Sequence, residues 1–358
     1  MKNDDRGLLL NHTFHPIDTL TALCNKKVKA EGVPQWERKV YQFILEWLSE
    51  KAYIVQRSSG TTGQPKAFHL PKRSMICSAQ NTCNYFDLRT GQSALLCLPV
   101  DYIAGKMMVV RAFVGKLNLL LMQPSNTPVL SGLEEVDFCA MVPLQVSNLL
   151  NRAEPLHKIK KLIIGGAEIR PELEVTLRDL PVEVYATYGM AETCSQVAIR
   201  KLSGPQYGRY YNAMPGIKCS TDSRNCLVIE SGYLDNRVVT NDVVELIDSH
   251  SFRWVGRYDN LINSGGIKVV PEEIEAVISK KTGMDCAIIG LPDSKLGQKV
   301  VLVLEKKDGK TGLNELKEMV KEEIPGHSQP KEIIFVEHIP RNHSFKVDRR
   351  RLVEQLWR

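Results

Sequence analysis

The sequence predicts an α/β protein, with a large N-terminal domain of mixed β-sheets and helices and a small α+β domain behind it. Three observations carry this. Short apolar runs alternate with helical periodicity and Gly/Pro/Asn breaks from Pro34 to about residue 250. The pattern then changes after Gly256-Arg257, where brief strands and helices mix. A length of 358 residues leaves ample chain for a buried core and a second domain. The boundary is therefore placed between domains of residues 1–256 and 257–358.

The elements follow in order. Pro34 opens a helix in which Val40, Phe43, Ile44, Trp47 and Leu48 share a face. Ala52–Gln56, Ala94–Leu98, Leu119–Met122, Leu162–Ile164 and Val182–Tyr185 read as strands, most of them buried and parallel. Leu144–Asn151 and Pro171–Leu180 read as helices between strands. In the second domain Pro271-Glu272-Glu273 starts a helix with acids in its first turn. Strands at Ala287–Ile289 and Val300–Leu304, a helix over Leu313–Ile324 and a strand at Ile333–Val336 complete it.

Composition excludes several classes. The chain is 43% hydrophobic and 25% charged, which argues against disorder, collagen or coiled coil. Lys+Arg minus Asp+Glu is 47 − 41, a net +6 that permits an anionic ligand without indicating nucleic acid. No apolar run is long enough to span a bilayer. The first residues lack a signal-peptide core, and nine scattered cysteines show neither CxxC nor zinc-finger spacing. Reduced thiols in a cytoplasm are the expectation.

The most informative stretch is Ser58-Ser59-Gly60-Thr61-Thr62-Gly63-Gln64-Pro65-Lys66, directly after a strand. Its glycines permit close backbone approach, its hydroxyls and N–H groups suit phosphate oxygens, and Lys66 adds a mobile charge. Neither a Walker A loop nor a GxGxxG fingerprint is present. Further along stand Gly165-Gly166-Ala167-Glu168, Tyr188-Gly189-Met190-Ala191-Glu192-Thr193, Thr240-Asn241-Asp242 and Gly256-Arg257-Tyr258-Asp259-Asn260. Then come Asn263-Ser264-Gly265-Gly266-Ile267-Lys268 and Pro340-Arg341-Asn342-His343-Ser344-Phe345-Lys346.

This ordered set resembles the signatures of adenylate-forming enzymes, the superfamily of acyl-CoA synthetases, luciferases and peptide-synthetase adenylation domains. The resemblance runs from about residue 52 to 350. It implies that residues 58–63 and Lys66 cradle the phosphates of ATP, and that Gly165, Gly166 and Ala167 border the adenine. It implies that Tyr188, beside Gly189, stacks on the base, that Thr193 touches the α-phosphate and that Glu192 holds Mg2+. Asp242 would bind the ribose hydroxyls, Arg257 ribose or phosphate, and Gly265 and Gly266 would border the coenzyme A tunnel. Asp259 would be the hinge of a rotating small domain, and Lys346 the lysine that reaches carboxylate and α-phosphate. Four positions depart from the family pattern: Ala191, Asn241, Asn260 and Phe345.

The run Pro99-Val100-Asp101-Tyr102-Ile103-Ala104-Gly105-Lys106-Met107-Met108 is similar to the acid pocket of short o-succinylbenzoate–CoA ligases of menaquinone biosynthesis. Either Lys106 or Arg111 would neutralise the distal carboxylate of that acid, and Tyr102 or Met107 would pack on its ring. The same spacing equally suits core packing for Tyr102 and Met107 and helix-face charge for Lys106 and Arg111. The implied partners are a small-molecule acid, ATP and coenzyme A, with neither nucleic acid nor a membrane span. Relatives carry a longer segment ahead of the phosphate loop, and a homodimer would compensate for its absence. Two other readings remain: a ligase for another aryl or acyl group on CoA or a carrier protein, and a non-catalytic nucleotide-binding module.

If Lys346 serves the first step, Lys346→Ala stops pyrophosphate release from acid and ATP. Conversion of supplied acyl-adenylate to thioester then continues. Loss of the second step alone would refute that role.

Overall fold

The computed structural model describes residues 6–57, 67–205, 207–306, 313–341 and 347–357. The phosphate-loop candidates Ser58, Ser59, Gly60, Thr61, Thr62, Gly63 and Lys66 lie outside the described residues, as does Lys346. The chain forms two compact units. One comprises Met1–Glu168, Leu177–Lys218 and Glu230–Val238, and the other Ile169–Thr176, Cys219–Ile229 and Val239–Arg358.

The first unit runs β1 (Gly7–Leu10), β2 (Thr13–Pro16), α1 (Ile17–Lys29), α2 (Gln35–Leu48), β3 (Tyr53–Arg57), β4 (Ala67–Pro71) and α3 (Lys72–Tyr85). It continues with β5 (Ser93–Leu96), α4 (Ile103–Gly115), β6 (Asn118–Leu121), β7 (Val136–Met141), α5 (Pro143–Asn151) and β8 (Ile159–Ile164). After α6 (Pro171–Arg178), which falls in the second unit up to Thr176, come β9 (Glu183–Met190), β10 (Ser195–Lys201) and β11 (Tyr211–Ala213). Strand order within this unit is β11-β10-β9-β8-β7-β5-β6-β1-β2. The pairs from β9 through β8, β7, β5 and β6 to β1 are parallel. Those joining β9, β10 and β11, and β1 with β2, are antiparallel.

Parallel strands form here because apolar four- to six-residue runs are buried on both faces. Helix α2 turns Val40, Tyr41, Phe43 and Ile44 into the core, matching its 3.6-residue periodicity. Helix α4 is buried almost all round, from Gly105 to Ala112. It lies so close to the preceding segment that a Cβ on Gly105 would overlap the Pro99 carbonyl. β3 and β4 form a separate antiparallel hairpin in which Arg57 faces Ala67, closing the neck of segment 58–66. All nine cysteines are free thiols, most of them buried.

The second unit begins with β12 (Ile217–Thr221), β13 (Cys226–Ser231), β14 (Val238–Asp248) and β15 (Ser251–Arg257), neighbours in that order. β16 (Ile262–Ser264), β17 (Ile267–Val269), α7 (Pro271–Thr282), β18 (Cys286–Asp293), β19 (Gly297–Glu305), α8 (Leu313–Glu323), β20 (Glu332–Val336) and α9 (Arg349–Leu356) follow. A five-stranded sheet in the order β17-β16-β19-β18, with β20 parallel to β19, carries one cluster of buried side chains on each face.

One polar device ties the parallel strands at their N-terminal ends. The Asp137 carboxylate accepts from Ser93 N at 2.8 Å, Ser93 Oγ at 3.0 Å and Lys160 Nζ at 3.1 Å. Burial opposes its charge, but the Ser93 and Lys160 bonds outweigh that and hold its pKa below the usual carboxylate value. The stabilisation is therefore present above pH ~4 and lost as pH falls through the lowered folded value. Asp137→Asn should cost about 1–3 kcal/mol at pH 7 in urea unfolding and flatten the acid limb of the stability curve. An unchanged acid limb would refute it.

Candidate active site

In the first unit the site candidates fall on the C-terminal edges of the parallel strands, where open α/β sheets bind ligands. Gly165, Gly166 and Ala167 follow β8. Gly165 N donates to Met141 O at 3.1 Å, and any side chain at 165 would overlap Thr187 Oγ1. Gly166 sits at φ +82°, a conformation glycine takes without strain. The two glycines thus bring bare backbone to the strand edge.

Tyr188 and Gly189 end β9. The Tyr188 ring lies half-buried, 6.0 Å from the Tyr211 ring. A Cβ on Gly189 would overlap Ser195 O, so the tight β9–β10 pairing requires glycine there. The turn Ala191–Thr193 then projects Glu192 outward. Thr193 is fully buried: its hydroxyl accepts from Met190 N at 3.0 Å and donates to Ser195 O at 2.7 Å. In this arrangement Thr193 forms the turn that aims Glu192, with its one donor engaged there. The Glu192 carboxylate is exposed and has no partner among the described residues. A hard cation that takes one or two carboxylates plus phosphate oxygens fits such a donor, and no cluster of three or more metal-ligating side chains exists among the described residues.

The four acid-pocket candidates separate. Tyr102, the N-cap of α4, is half exposed, while Met107 is fully buried. Lys106 Nζ donates to Gln56 Oε1 at 2.8 Å and Val55 O at 3.4 Å, so its charge lies against the end of β3. Burial lowers its pKa, opposed by Glu46 and Asp101. Gln56 also donates to Asp101 O at 3.2 Å, tying that strand end to the loop before Tyr102.

Arg111 is 1% exposed. Its Nη2 donates to Gln196 Oε1 at 2.6 Å and Ser195 Oγ at 2.8 Å, and its Nη1 lies 3.5 Å from Met108 Sδ. Its Nε has no partner, and no described carboxylate lies within ion-pair distance. Burial pulls its pKa down to about 10. Gln196 in turn donates to Thr82 Oγ1 at 2.8 Å. Gln196, Ser195 and Gln56 escaped the sequence reading. Gln196 had a visible signal, since it is the polar member of a strand whose neighbours are buried on both faces.

The second unit holds its candidates by itself. Asp242 on β14 faces Arg257 on β15. Its Oδ1 accepts from Trp254 Nε1 at 3.3 Å and Arg257 Nη1 at 3.4 Å. Arg257 Nη2 also reaches Asp259 Oδ2 at 3.0 Å, and Asn241 Nδ2 donates to both Asp259 oxygens. Gly265 and Gly266, at φ +62° and +84°, make the two-residue turn between β16 and β17.

Residues 14–219 match the family model of the AMP-binding enzyme, and residues 273–346 that of its C-terminal domain. The chain belongs to the AMP-binding enzyme family. The resemblance read from the motifs and the adenylate-forming fold are thereby established. An acyl-CoA synthetase (AMP-forming)/AMP-acid ligase II-like protein from Dyadobacter fermentans is 34% identical, with TM-score 0.61, covering 94% of this chain and 98% of that one. The 2-succinylbenzoate–CoA ligase of Bacillus cereus (strain Q1) is 25% identical over 87% of this AMP-binding enzyme and 72% of its own length. That of Listeria monocytogenes is 26% identical with the same coverage. The Bacillus subtilis o-succinylbenzoate CoA synthetase, solved with its acyl-adenylate, shares the fold at 21% identity and TM-score 0.72, covering 83% of this chain and 68% of that one.

The turn-forming role of Thr193 has a direct check. Thr193→Val should lower unfolding stability by about 1–2 kcal/mol, with Thr193→Ser near the parent, measured by urea denaturation. Weaker AMP binding with unchanged stability would instead make the hydroxyl a phosphate ligand.

Proposed function

We propose that the chain is an AMP-forming acid–thiol ligase acting on an aromatic acid with a second carboxylate, o-succinylbenzoate foremost. A carboxylate is a poor acyl donor because its leaving group is oxide. Attack of its oxygen on the α-phosphorus of ATP releases pyrophosphate and leaves an acyl-adenylate. A thiol, that of coenzyme A, then attacks the acyl carbon and AMP departs. Two anions meet in the first step, so cations lower its barrier. Mg2+ bound to the phosphates would neutralise charge there, held by Glu192. Lys346 brings a further charge to the reacting oxygens. Tyr188 offers an aromatic face to the base, Asp242 a carboxylate to the ribose, and Gly265 and Gly266 an unobstructed backbone for the thiol arm. The proposed domain division lies near Arg257, with Asp259 as the hinge.

Membership of the family and the relatives' activities support the ligase chemistry. The observation that carries the acid's class is Arg111, a guanidinium buried beside neutral acceptors alone. A buried charge without a counter-ion costs several kcal/mol, so it persists where an anion is to be bound. A dicarboxylic acid places its distal carboxylate there, with Tyr102 and Met107 near its ring. Lys106, engaged with Gln56, is the less suited of the two cations.

The test is pyrophosphate release across a panel of acids, with and without coenzyme A. Succinylbenzoate should give release, and coenzyme A should convert the adenylate to thioester. Arg111→Met should raise KM for the diacid by about tenfold or more while leaving aromatic monoacids near the parent value. It should leave unfolding stability unchanged or higher, because a methionine fills the site without a charge. Equal losses on mono- and diacids would overturn the assignment. No release with any acid would overturn the ligase reading.

A further inference from the structure

Helix α9 begins three residues after Lys346, and its first residue makes an ion pair with α7. Arg349 Nη2 lies 2.6 Å from each oxygen of Glu275 on α7, and its Nε donates to Ile288 O on β18 at 3.4 Å. Glu275 accepts from Ile288 N at 2.6 Å, so acid and base grip the same residue of β18, one at its N–H and the other at its C=O. Arg349 also stands 3.7 Å from Glu272. Glu272 is 4% exposed; its Oε1 accepts from Asn260 Nδ2, while its Oε2 has no hydrogen-bond partner among the described residues. A Cβ on Gly256 would lie 2.6 Å from that Oε2. The carboxylate thus lies beneath the turn Tyr258–Asn260 and is shared between that turn and Arg349.

The stem of segment 342–346 is fixed on both sides. Arg341 pairs with Val347 in an antiparallel bridge, and Asp348 N donates to Pro340 O at 2.8 Å. Ile339 N donates to Glu305 Oε1 at 2.7 Å and Arg341 reaches Asp285 at 3.4 Å. Asp348 caps α9 by accepting from Arg351 N at 3.1 Å. Arg349 then locks that stem to α7 and β18, and Arg341 ties its other strand to Asp285. A lysine is a point charge on a flexible stem, so its aim depends on where its backbone is held. A displacement of about 1 Å at a reacting centre can cost on the order of a hundredfold.

We propose that Arg349 is a positioning residue for the first half-reaction, fixing the base of the segment that carries Lys346 against α7 and β18 through Glu275 and Glu272. The inference rests on the acid–thiol ligase reading and adds to it a residue that touches no reactant. Arg349→Lys keeps the charge but has no second donor to hold Ile288 O while Glu275 is engaged, as Arg349 does with Nε and Nη2. Glu275→Gln keeps the shape and removes the charge.

The experiment measures three quantities on the full chain. Acid-dependent pyrophosphate release should fall roughly ten- to a hundredfold in Arg349→Lys and less in Glu275→Gln, through kcat rather than KM for ATP. Thioester formation from supplied acyl-adenylate should stay within about threefold of the parent. Equal falls in both half-reactions would overturn the proposal. Amide exchange over residues 339–352 gives a readout independent of turnover. It should rise in Arg349→Lys while β18 and β19 keep the parent protection, and unchanged exchange would overturn the anchor even if no acid is a substrate.

Discussion

The site of the first unit depends on a guanidinium held in the core without a carboxylate. Arg111 is placed by Ser195 and Gln196, the first two residues of β10, and Gln196 is placed by Thr82 on α3. Those same residues follow the turn that presents Glu192, whose hydroxyl clip from Thr193 ends on Ser195 O. One hydrogen-bonded run therefore sets the direction of both the buried cation and the exposed carboxylate. Neutral acceptors orient Arg111 and leave its charge uncompensated, which is costly for folding and useful for binding an anion. With a carboxylate in the place of Gln196 the charge would be satisfied internally, and the pull on a ligand would be lost.

Much of this was legible in the sequence, and the exceptions have physical causes. Helix α2 and strands β5, β6, β8, β18, β19 and β20 stand where apolar period or short apolar runs place them. Helix α3 was not seen because its buried face carries Ser74, Ser78 and Thr82, which break the apolar stripe that marks a helix. Strands β12 to β15 were missed because β14 exposes Val239 and Ile247 while burying Thr240 and Asp242, which blurs the apolar alternation, and register shifts interrupt the β14–β15 pairing. At the site, motif residues could be found by order and spacing, but hydrogen-bond direction could not. Nothing in Glu192-Thr193 shows that the hydroxyl turns inward while the carboxylate turns out. Likewise Lys106 and Arg111 are two cations on one helix, and only the fold sends one to the end of β3 and the other into the core.

In the second unit two departures from the family pattern have a shared logic. Around the turn Tyr258–Asn260 stand three carboxylates, Asp242, Asp259 and Glu272, and three guanidinium groups, Arg257, Arg349 and Arg224, the last over the Tyr258 ring at 5.0 Å. Arg257 bridges Asp242 and Asp259, which leaves Arg349 as the cation beside Glu272, itself shared with Glu275. A fourth carboxylate at position 260 would face Glu272 directly, setting like charge beside a buried acid. The amide of Asn260 instead donates to Glu272, and the amide of Asn241 donates to Asp259. Each supplies a hydrogen bond to a charged acceptor while adding no charge of its own.

The constraint runs further back along the chain. Glu272 can be buried beneath the turn only because residue 256 has no side chain, since a Cβ there would press on Glu272 Oε2. Gly256 therefore admits Glu272, Glu272 calls for an amide at 260, and the remaining negative charge calls for a cation from α9. Arg349 answers from a helix that is distant in sequence and lies just beyond the lysine-bearing segment. A glycine and an asparagine flanking the turn are thus coupled to an arginine some ninety residues on, through a single buried carboxylate. Such coupling gives these positions a stake in one another that spacing along the sequence does not reveal.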